Sequence, residues 1–273
     1  MPAHFGAVDP RHALMPFDKT RFRFRKDGDL RLVSHHDLMR AFERMLRRAD
    51  LPFRSTEGFH PQPRMVFALS LPLGVIGRAE VIEIEWTEPI DSVHALNRLN
   101  ERAPLGLTLV TAKPIELKQS ARPSRAAYRL PIEPHDVSGV AVRCREATAA
   151  TELWVDRERP RPRQINIRPY VKNLQCTEAH LEMDLWITQD GSARADEIVR
   201  LLELNHQLDR GAILERCALE IWDELDAAAV EPQPAFPTAE ERSRMERPLT
   251  RSRLEPVPVG AHWSASPSGP IVE

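Results

Sequence analysis

Between residues 21 and 112 the spacing of apolar side chains switches repeatedly between a period of two and a period of about 3.6, in an order that few folds accommodate. Arg21-Phe22-Arg23-Phe24-Arg25 alternates as a strand, Asp27-Gly28 supplies turn chemistry, and residues 30–33 read as a short returning strand. Ser34 then caps a helix, with Asp37 in the first turn where a carboxylate meets the positive end of the dipole. On a helical wheel Leu38, Ala41, Phe42, Met45, Leu46 and Ala49 share one face, and Arg40, Arg44, Arg47 and Arg48 share the other. Residues 65–71 follow as a buried strand closed by Pro72-Leu73-Gly74. Residues 79–86 set Ile82, Ile84 and Trp86 against Glu83 and Glu85, a strand with one wet face. Asp91 caps a second helix carrying Val93, Leu96, Leu99 and Ala103, Pro104-Leu105-Gly106 breaks it, and residues 107–112 return as a strand. The resulting order, β-α-β-β-α-β, is the split βαβ or ferredoxin-like arrangement, an antiparallel sheet with both helices on one face.

The second half repeats the order more faintly. Residues 128–132 read as a strand and 136–149 as a helix. Strands are expected at 153–155, 164–174 and 181–188, then a helix opened by Ser192 and containing Ile198, Leu201 and Leu202, and a last strand within 213–222. No sequence repeat links the halves, so the duplication rests on element order alone. The fold class is therefore α+β: two ferredoxin-like (split βαβ) units in tandem, at residues 20–116 and 117–225, behind a flexible leader at 1–19. Residues 226–273 are rich in Pro, Ser, Arg and Glu, with too few apolar groups to offset ordering entropy, and are expected to form a disordered tail.

Composition narrows the function classes. The formal net charge of -2 argues against a uniformly basic nucleic-acid binder, yet arginine is concentrated in residues 21–64 and 157–172. Cys144, Cys176 and Cys217 lie far apart with no metal-binding spacing, which points to a reducing compartment and away from zinc ribbons and iron–sulfur clusters. Without a run of about 20 apolar residues or a signal-peptide core, a cytoplasmic location and no membrane contact are expected.

Four segments carry candidate chemistry. Arg21, Arg23 and Arg25 on the outward side of the first strand and the helical Arg40, Arg44, Arg47 and Arg48, with Arg64, offer guanidinium forks to phosphate; the competing reading is an ordinary solvated face, part-neutralised by Glu43 and Arg47 at i,i+4. The loop Gly58-Phe59-His60-Pro61-Gln62-Pro63 is stiffened by its prolines, so Phe59 is placed to stack on a base and His60 to meet a phosphate; the alternative has Phe59 plugging the core. His35 and His36 sit at a helix N-terminus, where the neutral form is favoured. Metal binding by His35, His36 and His60 lacks any ligand spacing. The run Arg157-Glu158-Arg159-Pro160-Arg161-Pro162-Arg163, leading to Arg168, reads as a hairpin tip able to grip phosphate or simply as a solvated turn. No phosphate-binding glycine loop, nucleophile elbow or paired-carboxylate constellation is visible, so catalysis is not the default.

Several stretches nevertheless match one known family. L-R-L-V-S-H-H-D-L-M-R-A-F-E-R-M-L-R-R-A-D-L-P, G-F-H-P-Q-P-R-M-V-F-A-L, L-P-L-G-V and Ala79-Glu80 closely resemble the bacterial radical SAM-linked protein family, a domain of unknown function. I-N-I-R-P-Y-V and G-S-A-R-A-D-E-I resemble its weaker motifs, so the likeness spans most of residues 21–222. Members are encoded beside or fused to a radical SAM protein, some near ribonuclease E/G, and the resemblance implies such a partner here. The family pattern has a leucine-type residue where His36 stands, which makes His35 the better carrier of a shared role. Asparagine or histidine occurs at the position of His60, which favours hydrogen bonding over proton transfer there, and Ala195 replaces an expected proline.

The leading expectation is a non-catalytic module that binds RNA or an RNA-protein substrate for a separate radical SAM enzyme and holds no cofactor or metal itself. Its site would comprise Arg23, Arg40, Arg44, Arg47, Arg48, Arg64 and Arg168 with the loop residues Gly58, Phe59, His60, Pro61 and Pro63. The alternatives are a metal-independent ribonuclease using His35, by fold-level analogy with CRISPR repeat-processing enzymes, and a scaffold that binds protein only.

Overall fold

The computed structural model describes residues 19–188, 191–225 and 237–248. The expected leader, apart from Lys19, and most of the expected tail lie outside the described residues. The first unit runs β1 (Lys19–Lys26), α1 (His35–Ala49), β2 (Met65–Phe67), β3 (Ile76–Glu85), α2 (Ser92–Asn100) and β4 (Leu107–Ile115). β1 lies between β4 and β3, and β2 pairs along the other edge of β3, every contact antiparallel. This is the strand order of a ferredoxin-like sheet.

The second unit runs β5 (Pro123–Pro131), α3 (Val137–Ala149), β6 (Trp154–Arg157), β7 (Arg163–Asn166), β8 (Val171–Cys176), β9 (His180–Trp186), α4 (Ala195–Leu201), α5 (Asn205–Asp209) and β10 (Glu215–Ile221). Its order β10-β5-β9-β8 reproduces β4-β1-β3-β2, again antiparallel throughout. β6 and β7 are an added hairpin within the crossover from α3 to β8. The units join where β3 and β10 run parallel, Ile76 opposite Glu215 and Gly77 opposite Arg216, giving one eight-stranded sheet with β10 near its centre. Because directions as well as order repeat, the second unit is a translated copy of the first, and right-handed crossovers carry both helical layers to the same face.

Side-chain alternation accounts for the packing. Phe22 and Phe24 of β1 and Ile82 and Ile84 of β3 meet Leu38, Phe42, Met45 and Leu46 of α1, all of them buried. The whole apolar face expected for α1 is in the core, and its start is capped as expected, the Ser34 hydroxyl accepting from the Asp37 amide at 3.2 Å. Asp91 likewise caps α2, accepting from the His94 amide at 2.6 Å. In the second unit Leu130, Leu181, Met183 and Leu185 pack with Val140 and Cys144 of α3 and Ile198 and Val199 of α4.

Several expectations are corrected. Residues 30–33 form no strand: Gly28–Leu32 is a 3-10 turn, entered through Gly28 at φ 54°. The strand expected over 65–71 stops at Phe67. The expected strand 164–174 is broken by a 3-10 turn at Arg168–Tyr170, where Pro169 withholds a donor and the Asn166 side-chain Oδ1 accepts from the amides of Leu153 and Arg168 at 2.8 and 3.1 Å. The later helix starts at Ala195 rather than at Ser192, the Glu197 carboxylate accepting from the Arg194 amide at 2.9 Å. Residues 237–248, expected within the disordered tail, include α6 (Ala239–Arg244) and β11 (Glu246–Pro248). β11 pairs with β7 in a three-stranded sheet, and the Arg247 guanidinium lies 3.8 Å from the centre of the Trp154 ring.

The wet face expected for β3 is also absent at its centre. Glu83 is buried against Lys19 at 2.7 Å and Arg21 at 2.8 Å, and accepts from the Ala121 amide at 2.8 Å. Arg21, expected to point outward, is buried too and reaches Asp223 and Glu224 beyond β10, each at 3.0 Å. Burial opposes its charge, but hydrogen bonds to Asp223, Glu224 and Glu83 outweigh this and raise its pKa. The reverse face of the sheet is thus sealed by ion pairs that connect the two units.

Candidate functional site

Residues 53–64 leave α1 and fold back along β3. The Arg54 amide donates to the Glu85 carbonyl at 2.8 Å, and the Arg64 amide donates to the Arg54 carbonyl at 2.7 Å. Higher up, the Thr56 amide donates to the Gln62 carbonyl at 2.8 Å while the Gln62 amide donates to the Thr56 hydroxyl at 3.0 Å. These reciprocal bonds close the neck of a short loop whose tip is residues 57–61. Gly58, at φ 126°, takes a conformation closed to L side chains. Phe59 is 102% exposed, so it does not plug the core. Solvent exposure gains the ring nothing in folding, so packing in the core does not account for Phe59.

The loop rests against the arginine face of α1. Arg47 donates to the Glu43 carboxylate at 3.0 Å and to the Pro61 carbonyl at 3.4 Å, and its guanidinium stands 5.5 Å from the Phe53 ring. Arg40 pairs with Asp37 at 3.3 Å, and Arg64 approaches Glu85 at 3.7 Å. Arg44 and Arg48 are exposed with no carboxylate within ion-pair distance among the described residues, though Arg44 lies near enough to Asp37 to help lower its pKa. His60, Pro61 and Gln62 are exposed beside them, whereas Pro63 is buried in the neck. Arg40, Arg44, Arg47 and Arg48 therefore share the exposed face of α1, which Arg47 ties to the tip of the loop, whereas Arg64, paired with Glu85, points to the side of β3 opposite Ile82 and Ile84.

Two further members of that set belong elsewhere. Arg23 lies on the opposite face of the sheet from α1, donating to the carbonyls of Ala79 and Leu219 at 3.2 and 3.0 Å and pairing closely with Glu224. Arg168 donates to the carbonyls of Thr148, Ala150 and Val171 at 2.7, 2.9 and 2.9 Å, which satisfies the C-terminal end of α3. The run from Arg157 to Arg163 is partly spent in the same way: Arg157 holds the buried Glu197 carboxylate at 2.6 and 2.9 Å.

His35 is half-buried, its ring edge-on to Phe67 at 5.0 Å and 6.3 Å from the His36 ring. Burial first, then the neighbouring His36 and Lys26, lowers its pKa and keeps it neutral. No carboxylate or hydroxyl among the described residues bonds its ring, so it lacks the orienting partner that a general base in a hydrolytic site uses. Burial pushes the Cys144 thiol up to about 11 and raises Cys176 and Cys217 as well, the opposite of an activated nucleophile. Glu133, His135 and Asp136 bring ligand-type atoms within 4.8 Å of one another, but Arg210 holds Glu133 and His206 meets Asp136 at 2.9 Å.

Sequence reasoning missed a second feature, a cleft of about 770 Å³ at the β3–β10 junction. The Leu71–Val75 and Gly191–Ile198 stretches that carry part of the family resemblance meet there. Behind it the buried Arg216 donates to Glu80 at 2.8 Å through Nε and closely through Nη2. It also donates to the Ser70 carbonyl at 3.2 Å and to the Tyr128 hydroxyl at 3.4 Å. Gly77 makes room for this pair, since a Cβ there would fall 2.5 Å from the Glu80 Cγ. The long-range Glu80–Arg216 match could be read only once the two strands were known to be neighbours.

A family model described as an uncharacterized protein conserved in bacteria (DUF2344) matches residues 19–200. The chain belongs to that family. The DUF2344 match begins with β1 and ends inside α4, so it takes in the Arg-bearing helix, the Phe59 loop and most of the cleft. None of the curated proteins compared matches this DUF2344 chain. Among solved structures, an unknown protein from Galdieria sulphuraria is similar at 11% identity over 75% of this chain and 98% of that one, with a TM-score of 0.25. A likeness that slight does not bear on the fold of the DUF2344 chain. No helix among its described residues is long and apolar enough to cross a membrane.

Proposed function

We propose that this chain is a non-catalytic module that binds single-stranded RNA, or an RNA-protein substrate, on the surface formed by α1 and the Phe59 loop. The observation that carries the reading is the complete exposure of Phe59 on a closed loop tied to the arginine face through Arg47 and Pro61. Proteins that track unpaired strands combine aromatic platforms for bases with cations for phosphates. Phe59 supplies the platform, and Arg44 and Arg48, with no carboxylate at ion-pair distance among the described residues, supply the phosphate contacts. The resemblance to radical SAM-linked proteins supports a radical SAM enzyme as the partner that acts on the bound substrate, and no cofactor is assigned to this chain. The neutral, unaccompanied ring of His35 gives the ribonuclease alternative no support.

Fluorescence anisotropy with a labelled single-stranded RNA at about 50 mM salt tests the module. Phe59→Ala should weaken binding by about 1–3 kcal/mol, the contribution of one stacked base. Arg44→Ala with Arg48→Ala should flatten the dependence of log K on log salt by about 1.4, at ~0.7 per phosphate contact on a single strand. An absence of binding at low salt, or binding indifferent to all three substitutions, would reject the assignment. Pull-down of this chain from its native cell, with the bound proteins searched for a radical SAM enzyme, tests the partner separately; complex formation that persists at high salt without RNA binding would favour the protein-only scaffold.

A further inference from the structure

The junction cleft is remote in chemistry from the arginine surface and carries its own set of groups. Its inner wall is apolar and buried: Val75 from the segment before β3, Leu214 before β10, and Ala193 and Ala195 at the start of α4. Gly74, at φ 81°, and Gly211, at φ 96°, turn the chain on either side, and the Gly74 amide is fixed to the Arg31 carbonyl at 2.9 Å. The walls thus come from both units and are held by backbone geometry. At about 770 Å³ the space falls within the ~300–1,000 Å³ of small-molecule sites.

The polar groups define what fits. Arg216 is saturated by Glu80, the Ser70 and Leu69 carbonyls and the Tyr128 hydroxyl, so it is part of the frame rather than a ligand contact. The Tyr128 oxygen accepts from Arg216, and no acceptor for its own proton occurs among the described residues; that proton is free to be donated into the cleft. Two cations border the opening, one from each unit. Arg194 is 59% exposed in its side chain, and its nearest carboxylate, Glu197 at 4.0 Å, is already held by Arg157. Arg31 donates to the Gly28 carbonyl at 2.9 Å and meets the fully exposed Asp29 at 3.5 Å, which leaves its Nη2 and Nε without a partner among the described residues. The acid on the same rim, Asp196, is paired with Arg200 at 2.9 Å. The rim is therefore net positive through Arg194, the inner wall is apolar, and the Tyr128 hydroxyl lines the cleft together with Ser70 and Ser192.

The geometry points to a binding site for a small, largely apolar molecule carrying one acidic group, its body lodged between Val75 and Leu214 and its anion between Arg31 and Arg194. A fatty or aromatic acid has this chemistry; a nucleotide, with several charges and little apolar surface, does not. Occupancy bridges the two units and removes the apolar wall from water. The site is independent of the RNA reading, since Arg194 is no part of the α1 surface.

The aromatic sulfonate 1-anilinonaphthalene-8-sulfonate is a direct probe for the full chain. Saturable one-to-one fluorescence enhancement is expected. Arg194→Glu should weaken it at least about 5-fold, the scale of one solvent-screened ion contact. Ala212→Trp, which fills the cleft, should abolish it, with thermal unfolding confirming that both variants fold. The neutral N-phenyl-1-naphthylamine should bind more weakly than the sulfonate and be indifferent to Arg194→Glu. Non-saturable binding, unchanged affinity in the Arg194 variant, or equal affinity for the neutral probe each overturns the proposal. Should Ala212→Trp not fold, Leu73→Asp on the exposed rim repeats the test, expected to weaken the sulfonate and overturning the site if it does not.

Discussion

Removing either partner of the Glu80–Arg216 pair should destabilise the chain far more than removing both. The two side chains are 2% and 1% exposed, and the guanidinium engages Glu80 through two nitrogens. In Arg216→Met the Glu80 carboxylate stays in the interior without its forked partner, and the Ser70 carbonyl loses a donor. Breaking a buried pair from one side costs about 3–5 kcal/mol, because the remaining charge is neither solvated nor matched. Glu80→Gln leaves the cation instead, with only neutral acceptors around it, and falls in the same range. Glu80→Met combined with Arg216→Met removes both desolvation penalties of the pair and keeps side-chain volume; the residual cost is about 1–3 kcal/mol, from carbonyls left without donors and from the buried Lys26, which loses the Glu80 charge near it. The single effects should therefore exceed the double effect by at least about 3 kcal/mol when summed. Urea unfolding of the three variants and the wild type, with slopes compared to check that the transition stays two-state, gives these values. Single variants within about 1 kcal/mol of wild type, or strict additivity, would refute the view that this pair is a buried, mutually dependent element.

Three further outcomes are expected. Gly77→Ala should cost about 1–3 kcal/mol by pushing the Glu80 side chain off Arg216, measured by the same urea titration, and a neutral effect would show that the close approach of 2.5 Å is relaxed without consequence. Arg168→Lys should lower stability by about 1–3 kcal/mol through the unsatisfied carbonyls of Thr148, Ala150 and Val171 while leaving RNA affinity unchanged; a lost affinity with intact stability would return Arg168 to the binding surface. Because the folded state lowers the pKa of His35, the unfolded chain takes up its proton more readily, so this contribution is complete above the unfolded value of about 6.5 and is lost as pH falls through the folded one. His35→Phe, which keeps the contact with Phe67, should flatten that part of the pH dependence of the unfolding temperature, and superimposable profiles for the two proteins would contradict it.

The elements whose boundaries were visible in sequence are those in which local chemistry and burial agree. The Ser34 cap, the apolar stripe from Leu38 to Ala49 and the Asp91 cap each specify their structure within a turn or two. The tandem α+β order was also legible, because alternation and helical spacing survive in the second unit. What escaped depends on distant partners. Arg21 and Glu83 look like solvent-facing residues of alternating strands until Asp223 and Glu224 cover them, some 200 residues on in the case of Arg21. Arg168 looks like a phosphate ligand until the end of α3 is placed beside it. The interruption at Pro169 and the pairing of β11 with β7 were overlooked for a related reason: composition suggested a tail where a short strand gains its stability from a neighbour. At the candidate surface the Phe59 loop was identified from its prolines, whereas the cleft could not be, since its walls come from five separated stretches of chain.

The position of β10 bears on how the molecule assembles during synthesis. This strand, among the last in the chain, fills the gap between β3 and β5. Until residues 215–221 have emerged, the first unit offers the start of β3 and the second offers all of β5 as open edges with unpaired amides and carbonyls. From the completion of β5 until β10 is made the nascent chain therefore carries two sticky edges, and insertion of one late strand silences both at once. A chain that stops short of Glu215 would lose more than its final strand: it would keep two templates for pairing with other copies of itself.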